Sequence, residues 1–246
     1  VKEFIEGKYI LSVTAQGYVK KTDLMAYSNL RQTGIIGLKL EDGDRLIDCK
    51  ITSGSEHILL ATKFGKAIRF DEKETRPMGR SARGVTGIKF GDKKDEVIGV
   101  AVVNSTDSIL SVCENGYGKR TPIEEYRTQT RAGKGIYTIK VTDRNGPVVG
   151  ILQVAADDHL MVMTSGGKVM RFTVAEVGLI GRLTQGVRLM NVDAGEKIIS
   201  LAKIQRIEGE DIQEIEGEAT VGIVVLDDAE IDADAEIEDD EGTEES

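Results

Sequence analysis

Short apolar runs, rich in Val, Ile and Leu and broken by Gly, Asp, Asn and Ser, follow one another along residues 1–204. YILSVT, HILLAT, VIGVAVV, SILSVC, PVVGILQV and HLMVMT have the length and composition of β-strands, and the polar breaks between them have the composition of tight turns. KAIRF alternates with period two, so Ala67 and Arg69 point one way and Ile68 and Phe70 the other. If the apolar side packs on a neighbour, Arg69 is expected to be free for solvent or a ligand.

The runs are organised as a repeat. One glycine, at a turn, recurs at Gly17, Gly65, Gly116 and Gly167, and a basic residue lies four positions beyond each, at Lys21, Arg69, Arg120 and Arg171. A second glycine recurs in step at Gly34, Gly84, Gly135 and Gly186. Two landmarks that keep the same period of about 50 residues define one supersecondary unit repeated four times. The units cover residues 9–52, 57–103, 108–154 and 159–204, and residues 1–8 read as the end of a preceding blade. In unit one YILSVT, YVKKTD, GIIGLKL and DRLIDCKI are expected as strands one to four. Four-stranded units of this size that bury their faces against neighbours predict an all-β, propeller-like fold. Residues 205–226 are expected to be a linker, with ATVGIVVLDD as a candidate closing strand, and residues 227–246 a solvated, disordered acidic tail. The start in mid-strand, without Met, predicts that sequence has been lost upstream.

Charge changes this picture. The whole chain is at −10, but 18 of its 42 acids and only one of its 32 bases, Arg206, lie after residue 204, which leaves the repeat body at +7. A basic body binds polyanions, and an acidic tail can compete for the same surface or simply aid solubility. The cations recur in phase. Lys20, Lys21, Lys66, Arg69, Lys119, Arg120, Lys168 and Arg171 follow the first glycine, and Arg76, Arg80, Arg83, Arg127, Arg131, Lys134 and Arg182 occupy the loop before the second. Arginine and lysine beside glycine-rich backbone suit phosphate oxygens, and no helix is available to enter a major groove, so backbone binding to duplex DNA is expected. A propeller that binds a protein partner is the alternative.

Other chemistry finds little support. Cys49 and Cys113 read as buried free thiols, with no CxxC spacing. His57 and His159 hold matching places at the start of a first strand, which is repeat structure rather than a metal pair. Asp42, Asp44, Glu124, Glu125, Asp157 and Asp158 sit in turns, where acids cap amides. Tyr126 and Tyr137 read as packing or loop residues. No apolar run reaches the roughly 20 residues that span a bilayer, so no membrane partner is expected.

The segment Gln129, Thr130, Arg131, Ala132, Gly133, Lys134, Gly135 resembles the basic box in the A subunit of bacterial DNA gyrase: Gln, two basic residues, two glycines, a basic residue and a glycine. Thr130 and Ala132 depart from it. YVKKTDLMAYSNLR, RPMGRSARGVTGIKF and YGKRTPIEEYR are also similar to the C-terminal domain of gyrase A, so the resemblance covers nearly all of residues 1–204. It implies a β-pinwheel, in which neighbouring blades exchange strands, with four blades present of an expected six and the primary box upstream. It implies a non-catalytic part of an ATP-hydrolysing type IIA topoisomerase that wraps duplex DNA on a basic rim and supports negative supercoiling, with the topoisomerase IV homologue of that domain as the near alternative. The implied partners are duplex DNA, the gyrase A N-terminal core in cis and gyrase B in an A2B2 holoenzyme. ATP and Mg2+ belong to that holoenzyme, no cofactor is expected in this chain, and the implied location is cytoplasmic and nucleoid-associated.

Overall fold

The computed structural model describes residues 3–29, 32–103 and 107–204. The candidate closing strand and the acidic tail lie outside them. The first sheet is built on β1 (Tyr9–Thr14), β2 (Tyr18–Asp23) and β3 (Leu46–Thr52). The second repeat contributes β4 (His57–Thr62), β5 (Lys66–Asp71), β6 (Val85–Thr86) and β7 (Val97–Val103). The third contributes β8 (Ser108–Cys113), β9 (Tyr117–Pro122), β10 (Ile136–Tyr137) and β11 (Val148–Val154). The fourth contributes β12 (His159–Thr164), β13 (Val169–Thr173), β14 (Val187–Arg188) and β15 (Ile198–Ile204).

The sheet orders are β3-β1-β2-β6, β10-β5-β4-β7, β11-β8-β9-β14 and β13-β12-β15, and every pairing within them is antiparallel. Four antiparallel sheets spaced round an axis make a propeller, and the strand order makes it a pinwheel. The short third strand of each later repeat leaves its own unit and closes the blade before it: Val85 pairs with Val19, Ile136 with Ala67 and Val187 with Gly118. GIIGLKL of unit one, expected as a strand, carries no strand among the described residues. Its counterparts are strands only where they lie on the blade before their own. A strand needs an edge to pair with, and composition alone does not supply one.

The cores lie between blades. Leu11, Val13 and Val19 pack with Ile58, Leu60, Ile68 and Phe70, and Leu59, Ala101 and Val103 pack with Ile109, Tyr126 and Ile151. Leu110, Val112 and Val154 pack with Leu160, Val162 and Ile198. A sheet covered on both faces reads as a continuous apolar run, and β4 and β8 are buried along nearly their whole length. In β12 burial alternates instead: Leu160 and Val162 are buried while Met161 and Met163 are exposed. Cys113 is buried as expected, and burial pushes its thiol up to about 12. Cys49 is exposed, against expectation, because it lies on β3, an edge strand with little cover on its outward positions.

The recurring turn glycine has a steric reason. Gly65 and Gly116 have φ of 80° and 87°. A Cβ added at Gly65 would stand 2.2 Å from the Ile139 carbonyl oxygen, and one at Gly116 2.3 Å from that of Met190. Each carbonyl belongs to the chain arriving from the next repeat. Gly65→Ala is therefore expected to lower unfolding stability by at least about 2 kcal/mol, through left-handed strain and displacement of the donated strand, and denaturant titration checks it.

Candidate nucleic-acid interface

The cations after the first glycine are placed by strands, and the strands aim them at the next repeat. Lys21 donates to the Glu72 carbonyl at 3.1 Å, Arg69 to the Ile123 and Tyr126 carbonyls at 3.2 Å, and Arg120 to the Val177 carbonyl at 2.8 Å. In every case the acceptors lie in or just after a 3-10 turn, at Glu72–Glu74, Ile123–Glu125 or Val174–Glu176. The backbone follows the same pattern: Met78, Gln129 and Ile180 donate their N–H groups to the carbonyls of Lys21, Arg69 and Arg120 at 2.8, 2.7 and 2.8 Å. Arg69 is thus half-buried and bonded to the next repeat rather than fully open to solvent. Its side chain satisfies the orphan carbonyls of a turn in the following blade.

One position earlier, Lys20 and Lys119 are fully buried. Lys20 donates to the carbonyls of Gly37 and Arg80, and Lys119 to those of Gly181 and Arg182. Burial lowers both ammonium groups to about 8, and the ring of carbonyls gives their protons partners. Unit two has Ile68 at this place, packed near Gly133, so an apolar side chain also fits the seam. In the loop, Arg80, Arg131 and Arg182 reach back to the carbonyls of Ile36, Thr86 and Tyr137, each two residues beyond a second glycine. Lys20, Lys21 and Lys119 are therefore out of reach of a phosphate, and Arg69, Arg120, Arg131 and Arg182 have carbonyl partners already.

The remaining expected residues are more open. Arg76, Arg127, Lys134, Lys168 and Arg171 are exposed. Lys168 is ion-paired with Asp193. Arg83 is also exposed, 4.6 Å from the Tyr18 ring centroid and 3.3 Å from the Glu41 carboxylate. The Lys66 ammonium lies 3.3 Å from the centroid of the Tyr137 ring, which is itself exposed. Tyr126 is buried, its hydroxyl 2.6 Å from that of Thr138, and burial pushes it up to about 12. Asp44 and Asp158 accept from the amides of Gln16 and Ala155, as turn acids do.

Three lysines escaped the sequence reading. Lys39, Lys89 and Lys140 each stand five residues beyond a second glycine and are exposed. Their backbone N–H groups donate to the carbonyls of Ala82, Gly133 and Thr184 in the following repeat, at 3.3, 2.9 and 2.9 Å. The residue after each acceptor is Arg83, Lys134 or Gln185. At the first two seams an exposed lysine thus lies beside an exposed cation of the next blade, and at the third beside a glutamine. The common offset from the second glycine was legible in sequence, but the exposure was not.

The resembling box from Gln129 to Gly135 is a loop whose backbone explains one departure. Ala132 has φ of 67°, the sole left-handed non-glycine among the described residues, where the box has glycine. Its N–H donates to the Gly87 carbonyl at 2.8 Å, which holds the loop in this conformation.

A propeller-like array of strand-exchanging blades with phased exposed cations is the architecture of this chain. The family profile described as "DNA gyrase C-terminal domain, beta-propeller" matches residues 8–53, 56–104, 107–155 and 158–205, and the chain belongs to that family. The A subunit of Salmonella typhimurium DNA gyrase is 42% identical over 224 residues, covering 90% of this chain and 25% of the relative. Its Staphylococcus epidermidis counterpart is 42% identical over 201 residues, covering 81% and 22%. This chain thus spans about a quarter of the length of the curated relatives it matches. Among solved structures, a DNA gyrase A C-terminal domain superposes with a TM-score of 0.76 at 26% identity, covering 83% of this chain and 68% of that one. The C-terminal domain of a DNA topoisomerase IV gives 0.78 at 25% identity, covering 83% and 64%.

Two outcomes test the seam. Ala132→Gly is expected to raise unfolding stability by up to about 1 kcal/mol, read by denaturant titration, because it relieves left-handed strain. Lys119→Met removes a group whose folded pKa lies below its unfolded one, so the native state releases that proton first. The Lys119 penalty is fully present below about pH 8 and is relieved as pH rises toward the usual lysine range. Wild type is therefore expected to gain stability relative to Lys119→Met between about pH 8 and 10, in paired denaturant titrations across that window.

Proposed function

We propose that this chain holds duplex DNA on its outer rim through phosphate contacts, as the non-catalytic wrapping part of a DNA gyrase A protein. The observation that supports this most directly is the phased pairing of exposed cations at successive seams: Lys39 beside the backbone of Arg83, and Lys89 beside that of Lys134, with Lys140 continuing the row. A row of positive charge with a fixed step neutralises phosphates without reading bases, and its curvature would bend the duplex. Arg76, Arg127 and Arg171 extend the row. Lys20, Lys21, Lys119, Arg69, Arg120, Arg131 and Arg182 act behind it by holding the loops in place. Lys66, Arg80, Lys168 and the rest of the Gln129–Gly135 box are assigned to its margin.

In the full-length enzyme, the bent duplex would be presented to the N-terminal core of the same polypeptide and to gyrase B, where ATP-driven strand passage introduces negative supercoils. As the kinship to the C-terminal domain of DNA gyrase A implies, ATP and Mg2+ would bind elsewhere in the holoenzyme. Such an enzyme acts in the cytoplasm at the nucleoid. The acidic run from Asp227 would compete with DNA for the rim at high local concentration. The gyrase reading is preferred to topoisomerase IV because the relatives at 42% identity are gyrase subunits.

Duplex binding measured against salt concentration tests this. With Arg83, Lys89, Lys134 and Lys140 all changed to Glu, the salt slope is expected to fall by about 0.9 for each phosphate no longer neutralised, and affinity to fall with it. Lys20→Met and Lys119→Met, by contrast, should leave the slope unchanged. An unaltered slope in the fourfold variant would remove the rim from the reading.

A further inference from the structure

The seam between the third blade and the fourth repeat departs from the row of paired cations. At the first two seams Lys39 and Lys89 stand beside Arg83 and Lys134 of the next repeat, whereas Lys140 stands beside Gln185. Gln185 serves a turn instead. Its backbone carbonyl accepts from Asn145 Nδ2, and its side-chain oxygen from the Thr142 hydroxyl, both at 3.0 Å. Asn145 is fully buried and also donates to the Lys140 carbonyl at 2.9 Å. From the turn before β9, Asn115 donates to the carbonyls of Asp143 and Arg144 at 3.0 and 3.2 Å. The turn of residues 142–146 is therefore pinned from two sides, and it carries Arg144, whose side chain is exposed.

Arg144 meets a second guanidinium there. At the register that closes each blade edge, Tyr18 faces Thr86, Lys66 faces Tyr137 and Tyr117 faces Arg188, so the third donated strand brings an arginine where the first brings a threonine and the second a tyrosine. Arg188 Nη2 donates to the Tyr117 hydroxyl at 2.7 Å, and Arg144 Nε donates to the same oxygen at 3.3 Å. The two guanidinium carbons lie 5.3 and 5.1 Å from the centroid of the Tyr117 ring. Arg188 Nη1 is steadied by the Asn191 side-chain oxygen at 3.0 Å. Asn191 stands five residues beyond a second glycine, where earlier repeats have Lys39, Lys89 and Lys140.

The charge of this pair is not met within the described residues. Arg45, Arg83 and Arg182 are ion-paired with Glu96, Glu41 and Glu125, and Arg69, Arg80, Arg120 and Arg131 donate to backbone carbonyls. Arg144 and Arg188 have neither kind of partner, and Asp143, which is exposed, is ion-paired with neither of them. Burial of the Tyr117 phenol raises its pKa, but the hydrogen bonds from Arg144 and Arg188 and their charge outweigh this and hold it below the usual tyrosine range. Two like charges converging on one neutral oxygen repel, and an anion between them removes the repulsion. Both guanidiniums keep N–H groups beyond those already bonded, and the hydroxyl, which accepts twice, still has its own proton to donate.

We propose that Arg144, Arg188 and Tyr117 form a phosphate-binding fork at the third seam, taking the place in the cation row that Gln185 leaves. Planar guanidiniums match phosphate oxygens in pairs, and the pinned turn and the donated strand hold the two in position before the ligand arrives. The inference rests on the rim reading for the source of that phosphate, the duplex backbone, and its test separates the two.

In the full chain, Arg144→Gln and Arg188→Gln are compared singly and together by duplex binding against salt concentration. Both side chains are exposed, so the substitutions leave the core packed. One phosphate shared by two arginines predicts a fall in salt slope of about 0.9 for the double variant, most of it present in either single variant. Single effects that add to about 1.8 would mean two independent surface cations and would overturn the fork. Tyr117→Phe keeps the ring and both charges and removes the shared oxygen; it is expected to lower duplex affinity at least about threefold at fixed salt, and unchanged affinity would overturn the hydroxyl as the organising atom. A second readout uses no DNA. With tyrosine isotope-labelled on the ring for NMR, inorganic phosphate at constant ionic strength is expected to move the Tyr117 titration to higher pH, and to leave it unmoved in the double variant. A lowered slope in the fourfold rim variant, with no change in the double variant and no phosphate shift at Tyr117, would overturn the fork and leave the rim. A phosphate shift at Tyr117 in a chain that does not bind duplex would overturn the rim and leave the fork as a site for free phosphate.

Discussion

Everything in this structure depends on the seam between one blade and the next. A blade of three long strands, such as β4, β5 and β7, has two apolar faces and an open outer edge, and it can satisfy none of these alone. The following repeat covers one face with its sheet, closes the edge with its third strand, and presents the carbonyls of its 3-10 turn and loop to cations on the preceding outer strand. The glycine at each turn is required because the donated chain passes over it at backbone contact distance. One repeat cannot be removed without exposing its neighbours, which is why the period of the sequence is kept so closely.

The seam also divides the cations into two populations. Lys20, Lys21, Arg69, Lys119 and Arg120 on the outer strands, and Arg80, Arg131 and Arg182 in the loops, are spent on carbonyls, which supply the acceptors that a buried charge needs. Those at the loop tips and just beyond the second glycine face water. The body's net positive charge is therefore not all available at the surface. A phased basic residue marks a repeated environment, and that environment is equally well a structural joint.

The strand runs, their breaks and the fourfold period were legible in the sequence because apolar burial between sheets leaves continuous Val, Ile and Leu runs, and because left-handed turns demand glycine. The resemblance around Gln129–Gly135 was legible for the same reason, and Ala132 shows how far the loop's conformation survives loss of the glycine. Lys39, Lys89 and Lys140 were equally in phase, but nothing in a linear pattern separates an exposed lysine from a buried one.

By itself, the sequence determined the class of fold, the number of repeats in residues 1–204 and the asymmetry between a basic body and an acidic end. These follow from local chemistry: side-chain periodicity, turn residues and charge. Only the tertiary structure decided which strand closes which blade, that Lys20 and Lys119 lie inside and Cys49 outside, and that Arg69 serves a carbonyl. Which strand closes which blade, and the partners of Lys20, Lys119 and Arg69, are set by contacts between residues roughly 50 to 70 positions apart in the chain, and strand pairing and burial at that separation leave no mark on the local pattern.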